Sequence, residues 1–305
     1  MRNLIHLTSY PGRIPINIHQ NQEDDPDTAL LHGFDISHVP DGGFITLTNR
    51  GCLTYAVKDD IENASVVQKP RWTLDIMQNI ESNDNDDSFF FCSFADEVEA
   101  VFCLSRRGKV VRVDLPMDSF DENSAPNTVE LVGEFEYGIN CASWSPDFEV
   151  LLLHVNTEDV HAAALLAMNN RMDVMAEISL EKFVDVDGVS GDLSVDSVSL
   201  TWKGDASKVA VSSVDEDGIR RIKIFDKDSL TLKSIGRMEN GSDVKNLNDT
   251  IAWCPNGSII ASVQSSKRSS QIIFFESCGL RHREFKLNVR RFSLSKIILC
   301  CDSDT

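Results

Sequence analysis

The stretch VSLTWKGDASKVAVSSVDEDGIRRIKIFDKDSLTLKSIGRM (198–238) decides the fold. It divides into four strand-sized runs. Residues 198–202 form a short apolar run ending in Trp202. Gly204-Asp205 then turn the chain, and residues 208–214 give a second run rich in Val. Asp215-Glu216-Asp217-Gly218 reads as a hairpin turn, because Asp-Gly tolerates positive φ. In 219–225, Ile222 and Ile224 alternate with Arg221 and Lys223, the period of two of a strand. Residues 231–238 supply the fourth strand. A unit of four antiparallel strands, repeated radially, is the blade of a β-propeller.

The unit does repeat. INCASWSPDFEVLLLHV (139–155) and DTIAWCPNGSIIASVQ (249–264) carry the same order: an apolar run ending in Trp, a turn with Pro or Gly beside Asp or Asn, then a second β-rich run. Two weaker copies lie upstream. FDISHVPDGGFITLTN (34–49) has His38 at the Trp position, and FFFCSFADEVEAVFCL (89–104) has Phe94. The blade anchors are therefore His38, Phe94, Trp144, Trp202 and Trp253, at intervals of 56, 50, 58 and 51 residues. A WD-type blade takes roughly 40–45 residues. Acidic loops such as ESNDNDDS (81–88) and DVDGVSGD (185–192) account for the excess. At each anchor a large ring is expected to pack between sheets, and the turn residues fix φ or tolerate positive φ.

The predicted fold is all-β, a WD-repeat-like β-propeller with five to six four-stranded blades, short of the seven of a full ring. The competing architecture is one or more β-sandwiches, which the regular anchor spacing disfavours. Residues 1–287 make the propeller domain. Residues 288–305 are a divergent tail or the truncated start of a further blade, with IILCC (297–301) as its first strand. One segment tests the scheme. HAAALLAMNNRMDVMAEISLEKF (161–183) has helix-forming composition. The repeat register instead predicts strands three and four of the third blade, with Asn169-Asn170 at the turn.

Bulk properties restrict the partners. The 305 residues include 29 basic and 48 acidic side chains, for a net charge of −19. Such a surface repels phosphate backbones and acidic lipid headgroups within a Debye length. Eight cysteines are scattered with no Cys-x-x-Cys, so paired zinc ligands are not expected. Cys92 and Cys103 sit inside apolar runs and read as buried thiols. No apolar run reaches eighteen residues and no signal peptide opens the chain, so no membrane partner is expected. A reducing cytosolic or nuclear compartment fits these features.

Chemistry has no clear foothold. There is no G-x-G-x-x-G, no P-loop and no nucleophile elbow. The seven histidines form no His-x-His or HExxH pair. Asp185, Asp187 and Asp192 lack the Gly and Glu placement of a calcium loop. The reading is therefore no enzyme, no cofactor and no metal site. Two small basic turns are the candidate partner-facing groups: Arg106, Arg107 and Lys109, and Lys267 with Arg268.

Residues 139–287 carry a family resemblance. SWSPDFEVLLL, LTWKGDASKVAVSSV with RRIKIFDKDSLTL, and IAWCPNGSIIASVQ with QIIFFESCGLRHREFKL are similar to the amino-terminal propeller of the Elongator complex protein 1 family. QIIFFESCGL (271–280) is the most specific part, since ordinary WD repeats place Trp-Asp where this chain has Phe-Phe-Glu. Residues 1–138 match mainly in layout. The resemblance implies a non-catalytic scaffold in the complex that modifies the wobble uridine of tRNA. It implies other Elongator subunits as partners: the catalytic acetyltransferase-like subunit and a second propeller subunit. Contact with tRNA would be indirect, through the complex. The alternative is a generic WD-repeat adaptor of another assembly. A propeller hydrolase would need converging acid, His or metal-binding groups, which the sequence does not present.

Overall fold

The computed structural model describes residues 34–39, 43–57, 72–80, 87–115, 128–181, 197–265 and 270–287. The chain falls into two compact units, Met1–Glu134 and Phe135–Thr305. Among the described residues, each unit is built of four-stranded antiparallel sheets whose strands follow one another in chain order. This is propeller blade topology. Residues 288–305, predicted as a tail or a further blade, lie outside the described residues.

The first unit holds two blades. Blade 1 comprises β1 (Phe34–His38), β2 (Gly43–Thr48), β3 (Cys52–Val57) and β4 (Trp72–Asp75). Blade 2 comprises β5 (Phe89–Ala95), β6 (Ala100–Ser105), β7 (Lys109–Asp114) and β8 (Thr128–Glu134). One core joins them: Ile45, Leu47, Leu53 and Tyr55 pack with Phe89, Cys92, Phe94, Val101 and Val111. Trp72 opens β4 and stacks on Tyr55 at 5.6 Å between ring centroids.

The second unit holds three blades. Blade 3 is β9 (Ile139–Trp144), β10 (Leu151–Asn156), β11 (Ala162–Met168) and β12 (Val174–Glu181). Blade 4 is β13 (Ser199–Trp202), β14 (Lys208–Val214), β15 (Arg220–Asp226) and β16 (Leu232–Ile235). Blade 5 is β17 (Leu247–Trp253), β18 (Ile259–Ser265), β19 (Ser270–Glu276) and β20 (Arg281–Leu287).

Strand alternation builds these cores. On β14, Val209 and Val211 face blade 3 and meet Leu152, Leu165 and Ala167. Ala210, between them, faces blade 5 and meets Ile260, Ile273 and Phe275. Successive side chains of a strand point to opposite faces, so one central strand serves two cores. Each fully buried aliphatic or aromatic side chain contributes about 1.5–3 kcal/mol.

The helix-prone segment forms strands, as the register predicts. Ala163 to Met168 are all buried within β11, which pairs with β10 on one edge and β12 on the other. A strand covered on both faces tolerates a continuous apolar run, so tertiary packing overrides the helix preference of Ala, Leu and Met.

Candidate functional site

The anchors end, or nearly end, the first strand of each blade. His38 closes β1 opposite Phe44, and Phe94 stands one residue before the end of β5. Trp144, Trp202 and Trp253 close β9, β13 and β17, and Phe94 and all three Trp side chains are buried. The residue before an anchor reaches the next blade. The Phe94 amide donates to Ser37 Oγ at 2.8 Å, and the Trp253 amide donates to Thr201 Oγ1 at 3.0 Å. Trp202 Nε1 donates to the carbonyl of Ser143 at 3.2 Å. Ser37, Ser143 and Thr201 each precede an anchor. A hydroxyl or carbonyl at that point satisfies a neighbouring donor that the junction would otherwise bury unpaired.

The first hairpin turns of the three blades in the second unit share one geometry. The amides of Phe148, Ala206 and Gly257 donate three residues back, to Ser145, Lys203 and Cys254. Those same donors adopt positive φ, at 55°, 59° and 74°. This is a type I turn followed by a left-handed residue. The turn glycine read from sequence, Gly204, is not the residue with positive φ. Its role is close approach: a Cβ added there would lie 1.8 Å from the Pro255 carbonyl oxygen of the next turn. Gly257 faces back, where a Cβ would lie 2.5 Å from Lys203 Cε.

Charged groups gather at both ends of this unit. Lys227, on the turn between β15 and β16, reaches Asp147 Oδ2 at 2.5 Å and Glu149 Oε2 at 2.6 Å on the first turn of blade 3. Partial burial acts to raise the Asp147 pKa, but the hydrogen bonds from Lys227 and Ser145 prevail and hold it low. Burial likewise acts to lower the Lys227 pKa, and its two carboxylate partners raise it instead. At the other end, Arg221 is clasped by Asp243, Asp217 and Asp215, at 2.8, 2.7 and 3.0 Å. The Arg221 hydrogen bonds depress the pKa of both Asp217 and Asp243. These side chains hold turns and adjacent segments together. They are arranged as mutual partners rather than as a nucleophile with its base.

The predicted basic turn at β6–β7 divides. Arg106 and Arg107 are exposed, with the Arg106 guanidinium 4.1 Å from the centre of the Phe90 ring. Lys109 is instead buried, with Nζ 3.3 Å from Asp87 Oδ2. It opens β7, and burying that position is tolerable only beside a carboxylate. Lys109 therefore does not belong with the exposed pair. Lys267 and Arg268 lie outside the described residues. Among the described residues, no group of three or more His, Cys, Asp or Glu side chains is disposed to hold a metal ion. No helix among them is long and apolar enough to cross a membrane.

One feature escaped the sequence reading. Arg281, His282, Arg283 and Lys286 all fall on β20, the outermost strand of blade 5. The signal was present as RHREFKLNVRR (281–291), which holds five Lys or Arg against one Glu. Nothing local distinguishes this run from an inner strand, and only the sheet order places it at an edge.

Comparison with known proteins agrees with the blade architecture. The family model described as ELP1 first N-terminal beta-propeller matches residues 1–196 and 183–305. Elongator complex protein 1 of Schizosaccharomyces pombe is 24% identical over 280 residues, covering 79% of this chain and 21% of that protein. Elongator complex protein 1 of Rattus norvegicus is 30% identical over 196 residues, covering 54% of this chain and 14% of that protein. The chain thus spans about a fifth or less of the length of these relatives. Among solved structures, the WD40 domain of Toxoplasma gondii coronin superposes with a TM-score of 0.53 at 11% identity, covering 84% of this chain and 59% of that one. At that identity the likeness concerns the fold alone.

Proposed function

The chain belongs to the ELP1 first N-terminal beta-propeller family, and from that membership we propose that it is a non-catalytic scaffold segment of the Elongator complex. The family match across the whole chain is the observation that carries this reading. In it, residues 1–287 act as one propeller domain. The partners are other Elongator subunits, namely the catalytic acetyltransferase-like subunit and a second propeller subunit. The chain would support wobble-uridine modification of tRNA from a cytoplasmic or nuclear location, touching tRNA only through the complex.

The physical features suit a scaffold. Buried anchors, satisfied junction donors and paired charges make rigid blades, and rigid blades present loops and edges at fixed positions. The third-strand residues Phe225 and Phe275 fill the core, at 2% and 0% exposure, where a generic WD adaptor carries Trp. That observation favours the family reading over an adaptor of another assembly.

Affinity purification of the tagged full-length gene product tests the proposal. Co-purification of the acetyltransferase-like and second propeller subunits is the expected result. Their absence, with a different stable set of partners in their place, would overturn it in favour of the adaptor reading.

A further inference from the structure

We infer that β20 is a docking strand for an acidic, extended segment of a partner protein, which adds to blade 5 as a fifth strand. The inference stands on the geometry of this edge, whichever assembly the chain serves. β20 pairs with β19 along one backbone edge. Among the described residues no strand pairs with its other edge. The Arg281 amide, at the start of that edge, already donates to the Arg237 carbonyl at 2.9 Å, and the outward amides and carbonyls beyond it are a template for strand addition.

Its charge is opposite to that of the chain. Against a net −19, β20 carries Arg281, His282, Arg283 and Lys286 with one acidic residue, Glu284. The outermost strands of blades 2 and 3 show the contrast. β8 (TVELVGE) and β12 (VMAEISLE) have no Lys or Arg and two Glu each. Internal pairing uses part of the β20 charge. Arg281 bonds Glu284, and His282 Nδ1 lies 3.3 Å from Glu276 Oε1. Lys286 Nζ is 4.0 Å from Glu284 Oε1 with its side chain 76% exposed. Arg283 is exposed and makes no ion pair among the described residues.

Two polyanions could answer this charge, and the backbone decides between them. A peptide in extended form satisfies both the cations and the free ladder groups of the edge. A nucleic acid satisfies only the cations, and its long phosphate chain meets the acidic remainder of the surface. The occupant assigned here is therefore an acidic polypeptide. Arg283 shares a face of β20 with Phe285 and Lys286 lies on the opposite face, so an added strand meets an exposed cation on whichever side carries its Glu or Asp.

The test uses the full 305-residue chain and three fluorescent probes: an alternating Glu/Val peptide, the same peptide with Gln for Glu, and a single-stranded RNA of matched charge. Anisotropy is expected to show salt-sensitive binding of the acidic peptide. The Gln peptide should bind at least about tenfold more weakly, and so should the acidic peptide to the double variant Arg283→Glu/Lys286→Glu. Both side chains are exposed, and an unchanged circular dichroism spectrum establishes that the variant folds. Hydrogen exchange should show added protection of the outward-facing amides within 282–287 when the acidic peptide is bound. Three results would each overturn the inference: no binding of the acidic peptide, binding without protection of β20, or RNA binding as tight and equally lost in the double variant.

Discussion

The junction of blades 3 and 4 and the junction of blades 4 and 5 do the same job by different means. Both bury an anchor Trp and both receive one cross-blade hydrogen bond beside it. At the end where the first hairpin turns lie, they diverge. Between blades 3 and 4, Lys227 spans to Asp147 and Glu149. Between blades 4 and 5, the turns meet by close packing, with Gly204 against the Pro255 backbone and Gly257 against the Lys203 side chain. A repeat architecture fixes the core of each junction and leaves its rim free to be electrostatic or steric. The two rims should fail under different conditions.

Trp202→Ala should do the most damage, at about 3–5 kcal/mol, because it empties the core shared with Leu152, Leu165 and Val209. Chemical denaturation measures the loss, and hydrogen exchange should localise it to blades 3 and 4. Gly204→Ala should come next, at about 1–3 kcal/mol, since its Cβ overlaps the Pro255 carbonyl and the backbone must shift. Here the exchange should rise in blade 5 rather than blade 3. If both variants loosen the same blades, the junctions are not independent.

Lys227→Met should cost about 1 kcal/mol or less, because its carboxylate partners remain partly in water. Its pH signature is more telling. The Asp147 pKa is depressed in the folded chain, so its contribution is complete above the unfolded value near 4 and disappears as the pH falls through the folded value. Acid titration of the wild-type blade 3–4 turns, followed by exchange, should show loosening below about pH 4. Lys227→Met should remove most of that acid response. Thr201→Val should have an effect of similar size, about 1 kcal/mol, by leaving the Trp253 amide without its acceptor. It should act only on the blade 4–5 junction.

Much of the architecture was legible because it depends on short-range chemistry. Trp202 before Gly204-Asp205 marked a strand end and a turn, and Ile222 and Ile224 alternating with Arg221 and Lys223 marked a strand face. The family match extends the same reading over the whole chain. The reason for Gly204 was not legible. Its crowding comes from Pro255, about fifty residues away in the next blade. Lys109 could not be separated from Arg106 and Arg107 either, since only packing brings Asp87 beside it.

The sequence by itself determined the strand count per blade, the anchors and the family, because alternation, turn residues and aromatic spacing act between near neighbours. Only the tertiary structure decided which charges are spent and which remain available. Arg221 and Lys227 are held by carboxylates from other segments, while Arg283 and Lys286 face solvent on an outer edge. The reason is Coulombic. An ion pair depends on distance in space, and a fold that returns its chain blade after blade sets those distances by packing, not by order along the chain.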